Sequence, residues 1–301
     1  RDYWRPLTQV GGEFRWFNPL ALKRISFRDH RKILACDGKV AFIGGFNIAP
    51  EYDGDGVTTG WRDLGMQVTG PLVADLVATF DHLFANADFK HPLFMRFRPG
   101  ILRPQIPNAN CDLLLARPGR GGSSLARVLR HVVAESRSVD IVAAYFLPPP
   151  KLRRALQATA RRGGKVRLIL PAKSDVTPLQ WASRGLYQRL LRAGVEIYEY
   201  QPQVLHAKLV VADNSVFVGS ANLDPRSFNI NYELLVRIED AQIAAGAREI
   251  FEKMLPLSQR VDPATWRKSR TFWHKLRERW ARFVFVQVDV AFARRQLRYL
   301  T

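Results

Sequence analysis

Residues 30–47 read HRKILACDGKVAFIGGFN, and residues 206–222 read HAKLVVADNSVFVGSAN. His30, Lys32 and Asp37 recur as His206, Lys208 and Asp213 at a constant offset. Gly44-Gly45-Phe46-Asn47 recurs as Gly219-Ser220-Ala221-Asn222, one residue early. The missing residue falls between Asp213 and Gly219, where a tighter hairpin at Asn214-Ser215 absorbs it. Within each copy, a His and a Lys two positions apart share one face of an extended segment, because side chains alternate. One such pair is an ordinary surface feature. Two pairs with matching glycine and asparagine followers define an internal repeat.

The repeat extends in both directions. Upstream, GGEFRWF (11–17) resembles AGVEIYE (193–199), and both read as a glycine turn entering a short strand. Downstream, WRDLGMQV (61–68) parallels NYELLVRI (231–238), each a strand with an acid near its start. Each leads into a helix with apolar residues spaced by three and four, over 71–85 and 241–254. The second copy carries more in front: strands over 112–115, 139–146 and 166–171, and helices over 123–136, 152–162 and 179–193. Three prolines at 148–150 stop the second of these strands. Such alternation predicts α/β layers on a largely parallel sheet. The first copy has no counterpart of 112 to about 180. Two readings fit: a native protein that continues N-terminally, or a short first half.

The organisation expected is therefore an α/β protein of two pseudo-twofold-related α/β-sandwich halves. The first half is 1–88, incomplete at its N-terminal side. A proline-marked connector covers 89–110, the second half 111–258, and a basic amphipathic segment 259–301. In this last stretch Trp266, Phe272, Trp273, Leu276, Trp280, Phe283 and Phe285 alternate with Lys and Arg. It reads either as a membrane-interfacial segment or as a helix packed on the body with a solvated basic face.

Composition narrows the partners. The chain has 301 residues and 47% hydrophobic content, enough for a real core. Forty-six Lys and Arg against 27 Asp and Glu give a net charge of +19, which calls for an anionic partner: nucleic acid, an acidic membrane surface or a phosphate-bearing substrate. The two cysteines, Cys36 and Cys111, point to no disulfide framework or thiolate metal site. No apolar run approaches the ~20 residues of a spanning helix.

The doubled pair has specific chemistry. A pseudo-twofold axis would set two imidazoles face to face, so that one attacks a phosphorus and the other protonates the leaving oxygen. That divides one displacement into two through a phosphohistidine. Lys32, Lys208, Asn47, Ser220 and Asn222 are candidates to hold the non-bridging oxygens. The lysines supply positive charge, so no metal or other cofactor is called for. Each imidazole needs a partner on its second nitrogen, and Asp63 and Glu233 are the candidates, with salt bridges to Arg62 and Arg237 as the alternative. Asp37 and Asp213 complete the repeated motif. Seven residues of strand is about 23 Å, so both read as structural groups capping hairpin turns. His82, His91, His131 and His274 lie in no comparable motif.

With these residues in view, the chain resembles the phospholipase D superfamily, whose two signature motifs match 30–47 and 206–222. Within it the chain is similar to bacterial cardiolipin synthases, through DGKVAFIGG (37–45), WRD (61–63), WASRG (181–185) and NLDPRS (222–227). The resemblance covers about Gly11 to Leu255. It implies His30 as nucleophile, His206 as general acid and base, and transfer of a phosphatidyl group from one phosphatidylglycerol to another with release of glycerol. It also implies an anionic-phospholipid partner, no nucleic acid, and a peripheral place on the cytoplasmic face of a bacterial membrane. Hydrolysis to phosphatidic acid by the same residues, a nuclease and an inactive scaffold are the other readings. The first copy has Gly45 where the second has Ser220, so one hydroxyl contact is absent.

Overall fold

A computed structural model of the chain describes residues 2–18, 26–87, 111–118 and 124–298. The connector expected over 89–110 lies outside them. The repeated motif makes a hairpin in each half. In the first half β1 (Ile33–Cys36) turns into β2 (Val40–Gly44), which pairs with β3 (Gly65–Thr69) in a three-stranded antiparallel sheet. Helix α2 (Leu72–Ala85) covers it; a short helix, α1 (Arg5–Gln9), precedes it. The turn is a three-residue loop in which Asp37 and Gly38 take φ of 52° and 64°. In the second half β8 (Lys208–Ala212) turns into β9 (Ser215–Gly219) through only Asp213 and Asn214, with Asp213 at φ 46°. That two-residue loop is where the missing residue is absorbed, one position earlier than expected. Asp213 also accepts from the backbone N–H of Arg137 and Ser138. It therefore fixes the far end of β8, a whole strand away from His206.

The second half builds an eight-stranded sheet from β4 (Cys111–Ala116), β5 (Ser138–Ala143), β6 (Lys165–Pro171), β7 (Glu196–Tyr200), β8, β9, β10 (Glu233–Glu239) and β11 (Ser258–Arg260). Its order is β11-β7-β6-β5-β8-β9-β10-β4. The sheet is mixed, not largely parallel as expected: only β5–β6 and β6–β7 run parallel. Those are the pairs joined by helical crossovers, α4 (Pro150–Arg161) and α5 (Thr177–Leu191). The tight β8–β9 turn reverses the chain, and the strands beyond it run antiparallel. Helix α4 begins at Pro150, earlier than expected, because proline is tolerated in the first helical turn.

Alternation decides what each face buries. Ile141, Val210 and Phe217 point to α3 (Ser124–Glu135), α4 and α5, while Val142, Leu209, Val211 and Val218 point to α7 (Ala241–Met254). With helices on both faces, β8 and β9 are buried throughout and read as unbroken apolar runs. The first-half sheet packs on the same body: Ala41, Ile43, Val68 and Leu76 share a cluster with Leu113, Leu234 and Val236. The strand expected over 11–17 does not form. The glycine turn is there, with Gly11 at φ 83°, but no described strand pairs with residues 12–17, whereas β7 is held on both edges.

The tail forms α8 (Pro263–Ser269), α9 (Phe272–Phe283) and α10 (Asp289–Arg298), the last two joined by a π turn. Thr271 and His274 cap α9 reciprocally, the ordinary local role expected of a histidine outside the motifs. Trp266 stacks at 4.9 Å on Tyr187 of α5, and Arg277 lies 4.3 Å over Trp181. Helix α10 reaches both motif-bearing regions. Arg226, in the first turn of α6 (Pro225–Asn229), pairs with Asp289 at 2.9 Å. Gln296 accepts from the backbone N–H of Ser26, and Val290 and Ala293 bury against Phe27 and Ile230.

Candidate active site

Two short parallel bridges join the halves. The segment before His30 pairs with Tyr232: His30 N donates to Tyr232 O at 3.0 Å, and Tyr232 N donates to Arg28 O at 2.9 Å. The segment before His206 pairs with Arg62: Arg62 N donates to Val204 O, and His206 N to Arg62 O at 2.7 Å. Each bridge sets the histidine of one half beside the acid next to the bridge residue of the other. His30 Nδ1 lies 3.0 Å from Glu233, and His206 Nδ1 lies 2.7 Å from Asp63 Oδ2. Both acids proposed from the sequence meet histidines, and the pairing is crossed rather than within a half. The alternative, salt bridges to Arg62 and Arg237, is not what these acids make: Arg62 donates to Gly56 O, and Arg237 pairs with Asp112 and Glu239.

The lysines reach back along their own segments. Lys32 Nζ donates to His30 O at 2.8 Å. Lys208 Nζ donates to His206 O at 2.5 Å and stands 3.0 and 3.3 Å from the His206 ring nitrogens. Burial lowers the pKa of both ammonium groups, against the opposing pull of Asp63 and Glu233; that of Lys208 falls to about 8. The charge of Lys32 acts on both His206 and Lys208, so the two pairs share one electrostatic site. Burial also lowers the pKa of His206, with Asp63 opposing.

Glu233 is fully buried and saturated. Beyond His30, it accepts from Ser220 Oγ at 2.6 Å and Ser227 Oγ at 2.7 Å. Burial raises its pKa, but His30 and the two hydroxyls more than offset that, leaving it below the usual carboxylate value. Ser220, expected at a phosphate oxygen, thus spends its hydroxyl proton on Glu233. In the first half its counterpart Gly45 has no Cβ, and one built there would run into the Asp63 carboxylate. The copies therefore exchange a longer acid with a hydroxyl for a shorter acid over a bare glycine. That is the physical sense of the departure at Gly45.

Asn47 donates to the Tyr52 hydroxyl at 3.1 Å. Asn222 is buried; its backbone N–H donates to Ser227, and its side-chain oxygen has no hydrogen-bond partner among the described residues. Asp37 is exposed in its turn and, like Asp213, sits beyond the strand that comes after its histidine. Sequence reasoning missed the aromatic wall of His206. The Tyr52 hydroxyl is 2.9 Å from its Nδ1, and the rings of Trp61, Tyr52 and Tyr145 lie 5.6, 5.6 and 6.1 Å from its own. Tyr52 has no counterpart in the second motif, so the repeat gave no signal for it. Among the described residues no group of three or more His, Cys, Asp or Glu is placed to hold a metal.

The chain is similar to known proteins. The family model described as cardiolipin synthase, phospholipase D-like domain, matches residues 129–255. A cardiolipin synthase of Clostridium perfringens is 34% identical over 269 residues, covering 85% of this chain and 56% of that protein. Cardiolipin synthase A of Pseudomonas aeruginosa is 34% identical over 234 residues, covering 76% and 46%. The chain thus spans about half the length of the curated relatives it matches. Among solved structures, a phosphatidylserine synthase of Haemophilus influenzae superposes with a TM-score of 0.67 at 15% identity, over 90% of this chain and 72% of that one, which shows a shared fold. A doubled His-Lys motif on this fold, with this sequence similarity, makes the chain a cardiolipin synthase-like member of the phospholipase D superfamily.

Proposed function

We propose that the chain carries a phosphatidyltransferase site that makes cardiolipin from two phosphatidylglycerol molecules, with residues 1–88 and 111–258 as its two halves. The observation that carries this is the crossed pairing, two imidazoles each held at Nδ1 by a carboxylate from the opposite half. With Nδ1–H donated to the acid, the Nε2 of His30 keeps its lone pair, while that of His206 begins the cycle carrying a proton. His30 is the nucleophile: its side chain is 25% exposed against 5% for His206, leaving it the more open to an incoming lipid. Its Nε2 bonds to phosphorus as the bond to the glycerol oxygen breaks, and His206 gives that oxygen its proton. His206 then takes the proton from a hydroxyl of a second phosphatidylglycerol. That oxygen attacks phosphorus, the P–N bond breaks, and cardiolipin leaves with both histidines restored. Lys32 and Lys208 meet the non-bridging oxygens, and the unpaired amide oxygen of Asn222 suits a substrate hydroxyl. Asn47 and Ser220 contribute through Tyr52 and Glu233.

The full-length protein, given phosphatidylglycerol vesicles, should release cardiolipin and free glycerol. Phosphatidic acid as the sole lipid product would instead establish hydrolysis, and cleavage of DNA without lipid turnover would establish a nuclease. On this reading the enzyme works at the cytoplasmic face of a bacterial membrane. No helix among the described residues is long and apolar enough to cross one.

Lys208 gives the reaction a pH dependence. Its ammonium loses its proton near pH 8 in the free enzyme, and with it the charge that receives the phosphodiester. kcat/KM, which reports free-enzyme ionisations, should fall above pH 8 towards a tenfold drop per unit. A profile flat to pH 10 would show that Lys208 is not needed in charged form.

A further inference from the structure

Most surface helices turn only polar residues outward, and α9 exposes an aromatic stripe beside its charges. Phe272, Trp273, Leu276, Trp280 and Phe283 are 71, 74, 46, 57 and 53% exposed. At 100° per residue they fill one arc of about 100°, while Ala281 and Glu278 bury against the body. Lys275, Arg279 and Arg282 border that arc on one side. Between them and α5 and α4 run two adjoining grooves of about 280 and 360 Å³, which share Arg189, Arg279 and Arg282; Arg192 and Arg153 line one each. Among the described residues, the only acid lining either groove is Glu278, already paired with Arg270. These guanidinium groups crowd one another: Arg153 has its pKa lowered by burial and then by Arg189, Arg282 and Arg154.

We propose that α9 is a bilayer-docking face, whose aromatic arc enters the interfacial layer of an anionic membrane while Arg153, Arg189, Arg279 and Arg282 take lipid phosphates in the grooves beside it. The choice of lipid rests on the function proposed above; the surface itself is read from exposure and charge. Trp and Phe on one face with Lys and Arg at its border is the pattern of helices that lie in the headgroup region. A nucleic acid has no need of the exposed apolar arc of Phe272, Trp273, Leu276, Trp280 and Phe283 that accompanies the cations. A second copy of the chain fits poorly, because a self-complementary contact would set the arginine cluster against itself. The face is tied to the body that carries the site. Trp266 and Arg277 fasten the segment to α5, and α10 continues from it to Asp289–Arg226 and Gln296–Ser26, next to the segment that leads into His30.

The test is sedimentation of the full chain with vesicles of phosphatidylcholine alone or with about a third phosphatidylglycerol. The wild-type chain should bind the anionic vesicles and lose binding at high salt. Trp273→Ser with Trp280→Ser, and separately Arg279→Glu with Arg282→Glu, should each weaken binding about tenfold or more with an unchanged melting temperature. His206→Ala should bind as wild type, so that docking and turnover fail separately. The proposal is overturned if the tryptophan variant partitions like wild type, or if its chief effect is to turn a dimer into a monomer or to abolish DNA retention.

Discussion

Turnover falls on the order of 10⁴-fold or more when either His30 or His206 is replaced by alanine, because each step of a double displacement needs both imidazoles. The two losses differ in kind, and the difference tests the assignment of roles. His206 is needed to protonate a poor leaving group. A lipid bearing a p-nitrophenyl phosphodiester carries a leaving group that departs without a proton, so His206→Ala should recover much of its first step with it. His30→Ala should recover none. Rapid release of one equivalent of p-nitrophenol by His206→Ala is the expected observation; the same release from His30→Ala alone would reverse the roles. Retention of near-wild-type activity on phosphatidylglycerol by either variant would refute paired-histidine chemistry.

Glu233→Ala should be the most damaging change outside the histidines, and it should act twice. Removing a carboxylate strips His30, Ser220 and Ser227 of their acceptor, and the carboxylate and both hydroxyls are buried. Leaving such groups unpaired costs about 3 kcal/mol or more of stability. It also frees the His30 ring to turn or adopt the wrong tautomer, for a further loss on the order of 10²- to 10⁴-fold in kcat. Glu233→Gln keeps the shape, so it should recover much of the stability while kcat stays low. Urea unfolding and kcat measured side by side separate the two effects; a Gln variant with near-normal kcat would leave Glu233 with a packing role only. The acid response has a definite sign. The carboxyl pKa of Glu233 is lower folded than its ordinary value of 4.5, so the folded state holds fewer protons there than the unfolded chain. Its contribution is full above about pH 4.5 and is lost as pH falls through the folded pKa.

What the sequence disclosed depended on range. The hairpins were legible because the signals are local: an apolar run, a turn residue that tolerates positive φ, another apolar run. Hence both hairpins form, and the shortened turn at Asp213 and Asn214 falls one residue from expectation. The helices over 71–85 and 241–254 were legible for the same reason. The strand expected over 11–17 failed because a strand is a pairing, and no described strand lies beside it. The sheet's mixed direction was missed because alternating elements suggest crossovers throughout, while β8 already enters antiparallel to β5 and the two-residue turn to β9 continues the reversal. The histidines, lysines and acids were legible from repetition. Which acid serves which histidine was not: the contacts join residues 203 and 143 positions apart, and nothing local encodes them. Of the tail's two readings, packing on the body is what the structure describes, and the interfacial one stays a proposal. Ala281 and Glu278 bury against the body, and the aromatic arc is left outside.

The crossed carboxylates also bear on inheritance. A repeat born of duplication is normally free to let one copy drift while the other keeps the work. Here a substitution at Glu233 is felt by His30, and one at Asp63 or Gly45 by His206, so damage to either copy disables its twin. Selection therefore sees the two motifs as a single trait. What can vary is the local compromise, a glutamate with a serine in one copy and an aspartate with a glycine in the other, provided each still delivers a carboxylate to the ring across the axis.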